Sequence, residues 1–521
     1  MRTALSFLVS FLFLSSSAPA QVSAKSAALS TAHPLATRAG LRVLQQGGTA
    51  ADAAVAVATV LAVVHPQAGN LGGGGFAVYY DAETRGIWTL DFREVAPRET
   101  ARNMFDKLPA AGARSAGVPG TVAGLEALHQ KFGARPWKEL LAPAIAVAKE
   151  GARADAEISA DIDAAKRERK LDIPTTLPPP ELALTLQRLA DHGARDFYDG
   201  QLAKKLIENV RAAGGVFGFR DLHEYEPVWR APIKLNYGPY EIYTVAPPSA
   251  GGITLGAALN ILADDDLAAG GFQTVRSLHL LVEAQRRAGI DSVRYVGDPV
   301  GSRLPYRELL SQKRAELWRK TIDAKRVIAT SSLTEPRPLA PEGEHTTHFT
   351  IADAQGNIVS FTTSLGENFG SGFLVPDLGF FLNDALTDFT TGSNVLDPGK
   401  RPASSMSPVI VLRDNRPFLA LGTRGGAAIP TTILQVFLNL VVYGKSLSAA
   451  VAAPRYHQGG VQEEMLYERE LTPKATLDAL NAMGHAVAAR PSIGDVHAIL
   501  FENRRLIAVA DPRRGGAAGG Y

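Results

Sequence analysis

The stretch "EGEHTTHFTI" sets Thr346 and Thr347 between His345 and His348, and two chemistries suit such a run. Histidines three apart on a helix could share a metal ion. This segment alternates like a strand, however, and a strand sends residues 345 and 348 to opposite faces. No H-E-x-x-H or clustered carboxylate–histidine spacing occurs elsewhere, so neither a metal nor another cofactor is expected. "GKS" at 444–446 ends like a phosphate-binding loop, but Asn439 stands where that loop needs glycine. "GNLGGGGF" lacks the lysine as well and reads as backbone packed where no Cβ fits. No G-x-S-x-G nucleophile elbow is present.

The threonine itself remains. Its hydroxyl is a poor nucleophile unless a base sits beside it, and an N-terminal threonine carries that base as its own α-amine. Such a role requires a cut before Thr346. Residues 301–345 are charged, rich in Arg, Pro and Glu and poor in apolar periodicity, which predicts an exposed, mobile segment that tolerates cutting. "TTHFTI" and "NIVSFTTS" flank "DAQGN", a hairpin signature. A turn centred on Gln355 would set Thr346 opposite Ser364, with Cβ atoms about 4.5–5.5 Å apart. A slip of one residue would undo that pairing.

The elements that must hold this hairpin read coarsely. "AADAAVAVATVLAVV" after Gly47-Gly48 is a buried helix, too short and too alanine-rich to span a membrane. Helices are expected over 117–152, 198–213 and 278–290, and strands over 231–246. The charged, then proline-rich stretch 160–190 reads as a surface excursion. After the hairpin come strands at "SPVIVLR" and "PFLALG", the helix "TTILQVFLNLVVYG" and a closing strand near "HAILFENRRLIAV".

The bulk numbers suit an ordinary globular protein. The 521 residues are 46% hydrophobic and 20% charged. A net charge of +2 with scattered basic residues makes no case for nucleic acid. Arg2, the run "ALSFLVSFLFL" and Ala18 and Ala20 predict a signal peptide over residues 1–20, hence a periplasmic or secreted mature protein without a membrane span. No cysteine is present, so no disulfide framework holds it together.

In order along the chain, "GGTAADAAVA", "GGGGF", "DFREVAP", "GVPGTVAG", "PPSAGG", "HTTHFTI", "KRPASSMSP" and "ADPRRGG" resemble the γ-glutamyltranspeptidase (glutathione hydrolase) family, from about Ala32 to the C-terminus. The resemblance implies an α+β fold, the four-layered αββα sandwich of N-terminal-nucleophile hydrolases. It implies a precursor that cuts itself into residues 21–345 and 346–521, large and small subunits that stay together as a heterodimer. Thr346 would be the nucleophile for self-cleavage and catalysis, assisted by Ser364. Arg93, with Ser404 and Ser405, would hold the substrate α-carboxylate, Asp388 would receive the α-ammonium, and the amides of Gly425 and Gly426 would form the oxyanion hole. The substrate would be a γ-glutamyl amide, and the acyl acceptor water, an amino acid or a peptide.

Departures from the family pattern bear on the substrate. The family's second threonine is Ser364 here, which keeps the hydroxyl. Gly366 stands in place of an asparagine that helps bind the α-amino group, and Ala385 in place of a Gln or Glu. That leaves Asp388, with Glu367 or Asn368 nearby, and makes a glutaryl or cephalosporin-type acylase the alternative. Between Asp388 and Arg401 only "FTTGSNVLDPGK" intervenes, which implies no lid and an open cleft favouring hydrolysis. A third reading, an exported γ-glutamyl-binding protein that never matures, has the retained Thr346 against it.

Overall fold

The computed structural model describes residues 20–105, 112–151, 156–263, 265–300, 304–334, 343, 345–462 and 464–521. The basic and apolar start of the expected signal peptide lies outside them. No helix among the described residues is long and apolar enough to cross a membrane.

Two seven-stranded sheets form the centre. In the first the strands run in the order Ala517–Gly520, Ala28–Thr31, Thr346–Ala352, Ile358–Ser364, Gly74–Asp81, Gly86–Asp91 and Val228–Arg230, every neighbour antiparallel. The second runs Ala20–Ala24, Arg505–Ala510, Asp495–Glu502, Arg416–Arg424, Val409–Arg413, Tyr240–Thr244 and Ile233–Tyr237, again antiparallel throughout. Each sheet interleaves strands from before and after residue 346. A chain divided there would keep its halves together through both hydrogen-bonded ladders.

Helices cover the two outer faces, which makes the four-layered αββα sandwich. On the first sheet lies the helix Ala50–Val64, buried along its whole length. Its single acid, Asp52, forms a capping box with Thr49 and accepts the amides of Ala134 and Arg135, which satisfies a carboxylate inside an apolar layer. Gly251–Leu262 and Ile429–Val441, likewise mostly buried, pack with the second sheet.

The central hairpin reverses the usual pattern of an outer strand. Phe349, Ile351, Val359 and Phe361 join the apolar layer under the helices, with the two phenylalanine rings stacked 4.7 Å apart. The opposite face is lined with polar groups and looks toward the second sheet: His348 bridges Thr362 (2.8 Å) and Thr350 (3.0 Å), Thr350 donates to the His497 carbonyl, and Ser360 to that of Leu421. The glycine run supports the close packing expected of it. A Cβ on Gly73 or Gly75 would lie 2.1 Å from the carbonyl oxygens of Ser364 and Thr362.

Two expectations fail in the same way. The stretch 160–190 is not a surface excursion but carries the helices Ala156–Glu168 and Pro180–His192, the latter burying Leu182, Leu186 and Leu189. Pro180 sits in the first turn, where its missing N–H costs nothing. Within 301–345 the helix Gln312–Arg319 buries Trp318, whose Nε1 donates to Asp291 at 2.7 Å, so this part is anchored and not merely exposed.

The turn of the hairpin is held by one carboxylate. Asp353 Oδ1 accepts the amides of Gln355 and Asn357, and Oδ2 accepts Asn357 Nδ2 and, at 2.8 Å, the Ala50 amide at the start of the buried helix. Replacing Asp353 by Ala strands these donors and removes the charge from a helix N-terminus. The expected outcome is a loss of about 3 kcal/mol, read as a lower Tm, with Asp353→Asn losing less.

Candidate active site

The hairpin register is the one the turn predicts: Thr346 stands opposite Ser364. Thr346 Oγ1 donates toward Ser364 Oγ at 3.4 Å, and Ser364 Oγ donates to the His345 carbonyl at 3.2 Å. The Gly366 amide donates to Ser364 Oγ at 2.9 Å and holds it in place. All three of Thr346, Ser364 and Gly366 are buried.

Arg93 lies beyond the end of the strand Gly86–Asp91, and its amide bonds back to Asp91 Oδ1. Its carbonyl accepts from Tyr225 Oη and Arg401 Nη1, both at 2.9 Å, so the backbone is fixed on two sides. The guanidinium is buried and ion-paired to Glu94 (2.7 Å) and to Asp388 (2.5 Å). A buried charge needs such partners, and this one binds two. Asp388 ends a single 3-10 turn, Ala385–Asp388, and its carbonyl accepts from Asn394 Nδ2 at 2.7 Å. Asn394 belongs to the short connection "FTTGSNVLDPGK", which folds against the site and lends Thr390 and Asn394 to the cavity wall.

Ser404 and Ser405 are held by pairing between two motifs noted in the sequence. The Ala250 amide donates to the Ser404 carbonyl and the Ser404 amide to that of Pro248, which lays "PPSAGG" beside "PASSMSP". Gly425 follows the last residue of the strand Arg416–Arg424, and both Gly425 (φ 127°) and Gly426 (φ 53°) adopt the positive φ that glycine permits, where the chain turns into the helix Ile429–Val441.

These residues border two adjoining cavities. Thr346, Ser364, Arg93, Asp388 and Ser404 surround a small one of about 10 Å³, about the room of a single water, with Gly343 as part of its wall. A larger cavity of about 630 Å³ shares Asp388 and Ser404 and adds Ser405 and Gly425. Gly426 borders neither. The wall of the larger cavity also includes His457, which burial holds at a pKa of about 4 and which is therefore neutral at pH 7.

Gly366 has a structural cause that the sequence does not disclose. Its φ is 96°, and a Cβ there would stand 1.9 Å from Asp384 Oδ1. The Asp384 carboxylate fills the space an asparagine side chain would need, accepting from the Glu367 amide and pairing with Arg169 at 3.1 Å. Burial raises the pKa of Asp384 and of Glu94, and nearby guanidinium groups oppose the rise. Ala385 is fully buried and offers no polar group. Asn368 points elsewhere, donating to the Asp161 carbonyl.

Sequence reasoning missed Glu94, Asp384 and Arg424. Glu94 stood next to Arg93, and Asp384 one 3-10 turn before Asp388, so adjacency was the available signal. Arg424 stood next to Gly425, but its partner His345 is brought to it only by sheet packing: Arg424 Nη2 donates to His345 Nδ1 at 2.9 Å. His345 thus bonds a guanidinium and His348 two hydroxyls, and no group of three His, Cys, Asp or Glu that could hold a metal occurs among the described residues.

Comparison with known proteins accords with this arrangement. Residues 36–521 match the family model for gamma-glutamyltranspeptidase. The chain is 33% identical to the glutathione hydrolase proenzyme of Escherichia coli strain K12, over 94% of this chain and 91% of that protein. It is 36% identical to the glutathione hydrolase proenzyme of Pseudomonas aeruginosa, over 91% and 90% of the two. Among solved structures, the cephalosporin acylase from Bacillus halodurans superimposes with a TM-score of 0.86 at 26% identity, covering 99% of both chains. With its sandwich fold and its motifs in order, the chain belongs to the γ-glutamyltranspeptidase family.

Proposed function

We propose that this chain is a self-processing threonine amidohydrolase that cleaves γ-glutamyl amides such as glutathione and passes the acyl group to water or to an amino acid or peptide. The observation that carries the reading is the Arg93–Asp388 pair beside Thr346. A γ-glutamyl group ends in an α-carboxylate and an α-ammonium on one carbon. Arg93 offers the counter-charge for the first and Asp388 for the second, and a guanidinium suits a carboxylate because it can bind it through two parallel bonds. A bound head group would take each partner from the other, so neither charge is left buried and alone.

In this mechanism the chain first opens between His345 and Thr346, giving subunits 21–345 and 346–521 as a heterodimer. The interleaved strands of both sheets support their staying together. Thr346 Oγ1 then attacks the γ-carbonyl while the new α-amine takes the hydroxyl proton. Amides at Gly425 and Gly426 receive the oxyanion, and loss of one such donor costs about 10²- to 10³-fold. The amine proton passes to the departing nitrogen, and water or an amine resolves the ester in the reverse sense. Ser404 and Ser405 assist at the carboxylate. Export to the periplasm or medium is supported by Arg2, the apolar run after it and Ala18 and Ala20.

A second reading, a glutaryl or cephalosporin-type acylase, is favoured by the absence of polar side chains at Gly366 and Ala385. Asp384 does not replace them, being engaged by Arg169 and the Glu367 amide. The two readings part on paired anilides. We expect kcat/KM for γ-glutamyl-p-nitroanilide to exceed that for glutaryl-p-nitroanilide. Asp388→Asn should lower the first by about 10- to 100-fold, the worth of one hydrogen bond to a charged group, and leave the second within about threefold. A preference for the glutaryl compound that Asp388→Asn does not change would instead establish the acylase.

A further inference from the structure

Residue 345 is gripped at two points. Its carbonyl accepts from Ser364 Oγ, which in turn accepts from Thr346 Oγ1. Its side chain accepts from Arg424. Burial and then the Arg424 guanidinium hold the His345 pKa well below the ordinary histidine range, so Nδ1 keeps the lone pair that Arg424 needs. Arg424 is itself buried, faces Asp495 across the strand pair and contacts Glu157 at 3.4 Å, which Arg514 also reaches at 3.2 Å. It is the residue directly before Gly425. One buried guanidinium therefore links the side chain on the acyl side of the bond to be cut with the start of the glycine corner.

We propose that the Arg424–His345 hydrogen bond is a positioning device for self-cleavage, holding residue 345 so that its carbonyl stays on the Ser364 hydroxyl that Thr346 Oγ1 also meets. The inference rests on the reading of Thr346 as a self-cleaving nucleophile. In the step served, Thr346 Oγ1 bonds to the His345 carbonyl carbon, the C–N bond to Thr346 breaks, and the hydroxyl proton ends on the new amine. Water then hydrolyses the ester, leaving a His345 carboxylate and restoring the hydroxyl. A peptide free to rotate would reach the attack geometry more rarely, and such orientation is worth large rate factors. Arg424 and His345 touch no reacting atom through their side chains, so they act as positioning residues.

The test is a time course of full-length chain made by cell-free translation, with the two fragments followed by denaturing gel and mass. His345→Ala should slow fragment appearance by about 10- to 100-fold, the worth of a hydrogen bond to a charged group. His345→Asn, whose Oδ1 can accept from Arg424, should recover most of that rate. Any change in kcat/KM of the matured His345→Ala enzyme should be at least about tenfold smaller than the change in cleavage rate. Melting the uncut Thr346→Ala chain with and without His345→Ala separates positioning from folding, and similar Tm values are expected. Wild type that cuts, with His345→Ala cutting equally fast or His345→Asn as slow as His345→Ala, overturns this inference alone. Wild type that stays whole overturns the Thr346 reading and this inference with it.

Discussion

The register of one hairpin governs the site. Thr346 meets Ser364 because Asp353 gathers the turn amides and ties them to the buried helix that starts at Ala50. A strand has a side-chain period of two, so a slip of one residue would exchange the apolar and polar faces. If Thr346–Ala352 slipped, Phe349 and Ile351 would then face the second sheet, and His348 and Thr350 would be forced under the helices without partners. The cost of burying those polar groups unpaired enforces the register, and the register delivers the hydroxyl pair. Chemistry at the strand's start thus draws on packing along its whole length.

The charges are arranged on the same principle. Arg93 is buried, and it is bearable there because Glu94 and Asp388 neutralise it and because Tyr225 and Arg401 fix its backbone. In the proposed function, such a preformed pair of opposite charges beside the hydroxyls would cost little reorganisation on meeting a zwitterionic head group. Asp384 supplies further negative charge, but Arg169 engages it and Gly366 makes room for it. The space beside residue 366 is therefore filled by a buried ion pair, and substitution at residue 366 alone could not place an asparagine side chain there.

Much of this was legible in the sequence, for reasons that differ by residue. "DAQGN" between two β-rich runs encodes its own register, so Thr346 and Ser364 could be paired from spacing alone. The glycine run announced close packing, and the structure supplies the carbonyl oxygens that forbid a Cβ. The helix Pro180–His192 was obscured by its prolines, although Leu182, Leu186 and Leu189 repeat at helical spacing and Pro180 occupies a position that tolerates it. Trp318 was hidden in a charged segment because one aromatic makes no periodic pattern. Arg424 and Asp384 stand near residues the sequence singles out, but their contacts with His345 and Gly366 were not legible, since these form only through sheet packing and a left-handed backbone.

In the proposed mechanism everything follows from the cut before Thr346, which would create the catalytic base and divide the chain. The mass of the purified protein under denaturing conditions tests this most directly. Self-cleavage predicts two chains, one of them beginning at Thr346. A single uncut chain after prolonged incubation would contradict it.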